Sequence, residues 1–232
     1  MHKVNVEWRI DNSEQPAMLE IMQACQLTID TNAEIKLIVE FDRVAIAVDG
    51  EIYWCDKNDK WHQNILYTVK YDNSALAKAL ALRPGMKILD ATAGFGRDAF
   101  TMSVLRASVV AIEKNPIIAA MLMWTTREMS SLNAMYGDHA AIITTNNWDG
   151  IYFDFMFDKN NRKSKSHQGM EIIAKIASKE SITSDTWHNA IAHSKRVVVK
   201  RPKNKLVLAI TQKPNHSITT KTVCFDVYLG DL

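Results

Sequence analysis

Cysteine is scarce in this chain. Cys25, Cys55 and Cys224 are an odd, widely scattered set with no CxxC spacing, which excludes a disulfide framework and a thiolate zinc site. Long apolar runs are lacking as well: none approaches the roughly 18 residues a membrane helix needs. The opening residues Met1–Glu7 are too polar to serve as a signal peptide. The seven histidines show no ligand spacing, so no metal is expected. No Ser/His/Asp or Cys/His arrangement stands out, and no internal repeat is present. These absences point to a cytoplasmic protein in a reducing compartment, with no membrane partner. What 232 residues at 47% hydrophobic and 23% charged do offer is ordinary globular composition. A chain of this length buries roughly two-thirds of its unfolded surface and needs no covalent staple.

Charge is unevenly spread. Residues 1–154 hold 14 Lys+Arg against 20 Asp+Glu, a net of −6, and residues 155–232 hold 14 against 6, a net of +8, which together give the overall +2. A basic block suits a phosphate-bearing partner, and equally a solvated lysine-rich face.

The pattern changes near residue 70. Before it, apolar residues from Pro16 to Leu27 recur at helical intervals, and three β-like runs follow: Ile35–Phe41, Val44–Val48 and Glu51–Cys55. Asp49-Gly50 is a tight-hairpin signal, and Ile65–Val69 reads as a further strand. Residues 1–70 are therefore expected to form a small β-rich, antiparallel appendage with a leading helix. Residues 71–232 alternate strands with helices. Ser74 caps a helix Ala75–Leu82, Lys87–Asp90 is a strand, Arg97–Leu105 a helix and Ser108–Glu113 a strand. Pro116–Ala134 reads as one long Met-rich helix, Ala141–Thr145 and Gly150–Asp154 as strands, and Gly169–Lys179 as a helix. Ser184 opens a helix to about His193, Val197–Val199 is a buried strand, and Ser217–Thr220 with Val223–Leu229 is a terminal pair. Such alternation predicts an α/β fold with a mostly parallel sheet covered on both faces.

The richest segment is Ile88–Phe100. Gly94 and Gly96 lie between a strand and a helix, where they let the backbone turn sharply and approach a ligand at the helix N-terminus. Glu113 ends the next strand 23 residues after Asp90, about where a doubly wound fold places the carboxylate that binds ribose hydroxyls. Gly94-x-Gly96-x-x-Ala99 satisfies the dinucleotide fingerprint, so an NAD-dependent oxidoreductase has to be weighed. Asp90 argues against it, because a carboxylate at the strand end repels a pyrophosphate and welcomes the ammonium and sulfonium charges of S-adenosylmethionine.

A second segment, Ile151–Asp158, ends a later strand. Asp154 with a backbone carbonyl can accept the hydrogens of a planar exocyclic amine, and Phe157 can stack on the base that carries it. An apolar strand end with a capping Asp is the plainer alternative. Third, Lys195–Pro202 sets a cationic pair at each end of a buried strand. Ligands of open α/β sheets lie off the carboxyl ends of strands, so Lys200 and Arg201 are expected on the rim of Gly94 and Asp154, holding phosphates.

Taken together, Asp90–Phe100, Glu113-Lys114-Asn115-Pro116, Lys195–Pro202 and the end Thr219–Tyr228 resemble the bacterial 16S ribosomal RNA (guanine-N2)-methyltransferases of the RsmJ type, over roughly residues 74–232. The resemblance implies a class I, Rossmann-like methyltransferase fold with a seven-stranded sheet and an antiparallel terminal strand. It implies S-adenosylmethionine as cofactor, contacted by Arg97, Asp98, Glu113, Lys114, Asn146, Asn147 and Asp154, and 16S rRNA or the small ribosomal subunit as partner. In the mechanism so implied, Asp90 and the glycine turn hold the methionine end, while Asp154 and the Phe155 carbonyl orient the amine. The basic segment Lys159–Gln168 then reads either as a flap over RNA or as a plain linker. Where the family carries Asp-Pro-Met-Phe-Pro, this chain has Asp154-Phe155-Met156-Phe157-Asp158. A non-catalytic RNA-binding relative is therefore the other reading to carry forward.

Overall fold

The computed structural model describes residues 2–155, 176, 182–204 and 210–232. Two sheets share one helix. The N-terminal sheet has the order β2-β1-β3-β4-β5, from β1 (His2–Trp8), β2 (Leu27–Ile29), β3 (Lys36–Val39), β4 (Arg43–Val48) and β5 (Glu51–Asp56). It is mixed, and the all-antiparallel expectation is corrected: β1 pairs parallel with both β2 and β3, and only β3-β4-β5 form an antiparallel meander. The extra strand β1 was hidden by its polar alternation, HKVNVEW. It precedes helix α1 (Gln15–Ala24), so the helix does not lead the unit. Ile65–Val69 is not a strand. Asp59 accepts the His62 amide and starts helix α2 (Lys60–Thr68), a local cap that outweighs the β-like composition.

The second sheet has seven strands in the order β11-β12-β10-β9-β6-β7-β8. Its members are β6 (Lys87–Asp90), β7 (Ser108–Glu113), β8 (Leu132–Tyr136), β9 (Gly150–Asp154), β10 (Arg196–Pro202), β11 (His216–Thr219) and β12 (Val223–Leu229). The pairs β8-β7-β6-β9-β10 are parallel, and β12 runs antiparallel to β10 and β11. This is the mostly parallel, seven-stranded architecture expected from the sequence, with an antiparallel end. Helices α3 (Ala75–Leu80) and α4 (Arg97–Val104) pack with Ile88, Val109, Tyr152 and Val198 on one face. Helices α6 (His139–Ile143) and α7 (Ser184–Ala192) pack with Leu89, Ile151, Phe153, Val197 and Val199 on the other. Successive strand residues alternate between these faces, as the pleat requires.

Two expectations in this half fail. The long helix Pro116–Ala134 stops early, as α5 (Pro116–Thr126), and its tail is strand β8. Leu132–Tyr136 finds a parallel partner in β7, which continuity of apolar residues could not reveal. Within Ala141–Thr145, the first three residues are helical, because Asp138 caps α6 through the Ala140 amide, and Thr144 and Thr145 form the turn that ends it. The helix expected at Gly169–Lys179 falls outside the described residues apart from Ile176.

Helix α5 joins the two sheets. Ten of its eleven residues are buried. Leu122 enters the core beneath α3 and α4, whereas Ile117, Ala119, Ala120, Met121 and Trp124 belong to the core of the N-terminal sheet with Val4, Met18, Leu37, Val44 and Ile46. The indole of Trp124 donates to the Glu40 carbonyl at 2.8 Å. A helix that is apolar all round is a helix buried all round.

Candidate functional site

The carboxyl ends of β6, β7, β9 and β10 make one rim. The turn after β6 is held open by two left-handed glycines, Gly94 at φ +55° and Gly96 at φ +79°, a conformation that strains residues bearing a Cβ. At Gly96 a Cβ would lie 2.4 Å from Leu122 Cδ1, whereas at Gly94 the same atom would meet nothing within 4 Å. The turn thus packs tightly on α5 and faces open space at Gly94. Glu113 straps it: one carboxylate oxygen accepts the Gly94 amide at 2.9 Å, and the other accepts the Asn115 amide at 2.6 Å. Burial raises the Glu113 pKa, and the backbone amides of Asn115, Gly94 and Lys114 partly offset it. Tyr53 packs on Phe95 with the rings tilted by 34° and centroids 4.6 Å apart, so the N-terminal sheet flanks the turn directly.

On the same rim lies an acidic cluster. Alternation along β9 puts Tyr152 and Asp154 on the α4 face, and the parallel register sets Lys200 of β10 opposite Asp154. Lys200 Nζ donates to Asp98 Oδ2 at 2.7 Å and to Asp154 Oδ2 at 2.8 Å. The Tyr152 hydroxyl donates to the same Asp98 oxygen at 2.6 Å. Asp90 is only 1% exposed, and its carboxylate accepts the Thr92 amide at 3.3 Å. Burial, followed by the neighbouring Asp98, drives its pKa well above the usual carboxylate range. Burial and the same acids hold the Tyr152 phenol far above normal. Burial alone would weaken the Lys200 ammonium, but Asp98 and Asp154 outweigh it and raise its pKa. Even with Asp90 pushed toward its neutral form, Asp98 and Asp154 against the one Lys200 leave the rim net negative, an environment that favours a cationic ligand.

The remaining sequence-predicted residues occupy several places. Arg97 opens α4, with its guanidinium 5.2 Å from the centre of the Trp61 ring and 4.0 Å from Asp59. Lys114 pairs with Asp138 at 3.3 Å. Asn146 and Asn147 are exposed between α6 and β9. Phe155 is buried, stacked on Phe153 with centroids 5.3 Å apart. Arg201 points to the opposite sheet face from Lys200 and grips Asp226 through two bonds, at 2.5 and 3.0 Å. Phe157, Asp158 and the segment Lys159–Gln168 lie outside the described residues.

Sequence reasoning overlooked three participants. Tyr152 sits two residues before Asp154, so strand periodicity alone could have placed it on the same face. Thr92 accepts the Asp154 amide through Oγ1 at 2.6 Å, tying the glycine turn to β9. His139 is buried edge-on against Phe153 at 5.6 Å, and burial lowers its pKa. Among the described residues no group of acidic, histidine or cysteine side chains is arranged to hold a metal ion, and no helix is long and apolar enough to cross a membrane.

Comparison with known proteins agrees with this geometry. The family described as "Putative SAM-dependent methyltransferase" matches residues 20–230. The chain is similar to the ribosomal RNA small subunit methyltransferase J of Vibrio vulnificus, with 30% identity over 95% of each chain. It is also similar to the protein of that name from Shewanella oneidensis, with 28% identity over 94% of this chain and 95% of the other. Among solved structures, a SAM-dependent methyltransferase from Neisseria gonorrhoeae superposes with a TM-score of 0.72 at 25% identity, over 98% of this chain and 95% of the other.

Proposed function

This chain belongs to the S-adenosylmethionine-dependent methyltransferase family that includes the ribosomal RNA small subunit methyltransferases J, and we propose that it methylates the exocyclic N2 of a guanine in 16S ribosomal RNA. The observation that carries the reading is the rim beside the open face of Gly94, where Asp98 and Asp154 outnumber Lys200 and Asp90 lies buried next to them. A pyrophosphate would meet like charge there, so the rim and the family match favour the methyl donor over a dinucleotide.

The residues present fit that donor. Asp90 and the glycine turn would hold its methionine end. Glu113 would hold the ribose, since its carboxylate offers about four lone-pair sites and the backbone amides around it take three. Arg97, Asp98, Lys114, Asn146 and Asn147 are the further contacts the family resemblance assigns. When bound, S-adenosylmethionine supplies an electrophilic methyl group on a positively charged sulfur.

The chain's own part is positioning. The Asp154 carboxylate and the Phe155 carbonyl accept the two hydrogens of the guanine amine, which leaves its lone pair facing the donor. Phe157 stacks on the base. The amine proton leaves after the C–N bond forms, so no general base has to act first. Orientation of this kind is worth about 7–11 kcal/mol in well-aligned systems.

The test is to incubate the protein with labelled donor and small-subunit particles lacking the modification, then digest the RNA to nucleosides. Label in N2-methylguanosine is the expected result. Measurable donor binding with no label in RNA would overturn the reading in favour of a non-catalytic relative, which the Asp154–Asp158 sequence would then explain.

A further inference from the structure

The cation of the acidic rim has a role that the basic-strand pattern of the sequence concealed. We infer that Lys200 is a positioning residue for methyl transfer, tying the acceptor-orienting Asp154 to Asp98, and is not a ligand for RNA phosphates; this rests on the function proposed above. Three observations support it. First, strand alternation separates Lys200 from Arg201, so the two cations form no common phosphate-binding patch. Second, Nζ of Lys200 is already shared by two carboxylates at 2.7 and 2.8 Å, and the side chain is only 22% exposed. Third, the charged and titratable groups around it, among the described residues, are Asp90 from β6, Asp98 from α4, and Tyr152 and Asp154 from β9. Its β12 neighbour, Phe225, adds no charge. An incoming phosphate would have to reach the third donor of an ammonium already paired twice, and would do so among three acids.

The bridge has a chemical consequence. Asp154 accepts amine hydrogens best while ionised, because protonation turns one of its oxygens into a donor and leaves the other a weaker acceptor. The ammonium keeps it ionised beside Asp90 and Asp98, and fixes its rotamer. Without that charge nothing offsets the repulsion between Asp154 and its acidic neighbours, which favours the protonated form of Asp154.

The experiment uses the full chain, labelled donor and unmodified small-subunit particles, with wild type, Lys200→Met and Lys200→Arg. Lys200→Met is expected to lower kcat about 10- to 100-fold, at an unchanged KM for particles and an unchanged salt dependence. The acid limb of its kcat profile should move up by about one to two pH units, and Lys200→Arg should recover most of kcat. A raised KM, an unmoved pH profile and a salt slope reduced by about one would mark a phosphate contact and overturn the inference. Should Lys200→Met fail to fold, Asp98→Asn at saturating donor decides. Lys200 left to Asp154 alone is expected to lower the acid limb at unchanged KM, whereas a lower KM would mean a lysine released to RNA and would overturn it. Carboxylate titration by carbon-13 NMR separates this inference from the proposed function. If wild type transfers no methyl group the function fails, while an upward shift in Lys200→Met still supports the bridge and an unmoved titration sinks it.

Discussion

Asp90→Asn is expected to improve the ligand-free protein while damaging donor binding. Asp90 is 1% exposed, and both burial and Asp98 favour its protonated form. A carboxyl whose folded pKa lies above its unfolded value of 3.8 stabilises the fold below that value. That stability is lost as pH rises toward the folded pKa, by up to about 1.4 kcal/mol per pH unit. Asparagine keeps the acceptor for the Thr92 amide but never ionises. The stability difference between variant and wild type should therefore grow in the variant's favour from about pH 4 upward, then level off. Each kcal/mol moves Tm by about 2–4 °C in a chain of this size. Donor binding should respond in the opposite sense. A hydrogen bond or ion pair to a charged group is worth about 1.5–3 kcal/mol, so affinity should fall about 10- to 150-fold. In wild type, donor binding should release a proton and tighten with pH across the same window. Melting curves from pH 4 to pH 9 and calorimetry in two buffers of different ionisation enthalpy measure both effects. Equal donor affinity in the two proteins, or parallel pH–stability curves, would refute the reasoning.

The other expectations concern the scaffold. Gly96→Ala combines φ +79° with a Cβ 2.4 Å from Leu122 Cδ1, so chemical denaturation should show a loss of about 2–4 kcal/mol. Glu113→Gln puts an NH2 group where a carboxylate accepts either the Gly94 or the Asn115 amide. Calorimetry should show donor affinity reduced at least about tenfold. Trp124→Phe removes the bond to the Glu40 carbonyl and leaves that oxygen short of a donor, at a cost of about 1–3 kcal/mol in equilibrium unfolding.

Much of this molecule could be read from residue order, and the failures share a cause. Strands β6, β7 and β9 match their expected limits because each is a short apolar run ended by an acid or a turn. The rim was legible for the same reason: Asp90, Glu113 and Asp154 are strand-terminal acids, and strand ends of a parallel sheet point one way. Leu132–Ala134 reads as helix and Ala141–Thr145 as strand, and both readings fail, since short apolar segments carry no decisive period. A parallel partner settled the first and the Asp138 cap the second. What Lys200 touches was illegible for a different reason. Its partners sit 46 and 102 residues away, Asp154 set by the register of β10 on β9 and Asp98 by the packing of α4 on the sheet; composition alone showed only a basic cluster.

Helix α5 gives the two sheets a common fate. Asn115, whose amide is held by Glu113, caps this helix through Oδ1, and about two turns further on Met121 and Trp124 sit in the other core. A chain begun at residue 71 would leave that apolar surface facing water and should aggregate instead of yielding a smaller enzyme. Conversely, a ligand that braces Glu113 should slow amide exchange in strands β3 and β4, so occupancy of the pocket can be followed from the opposite end of the polypeptide.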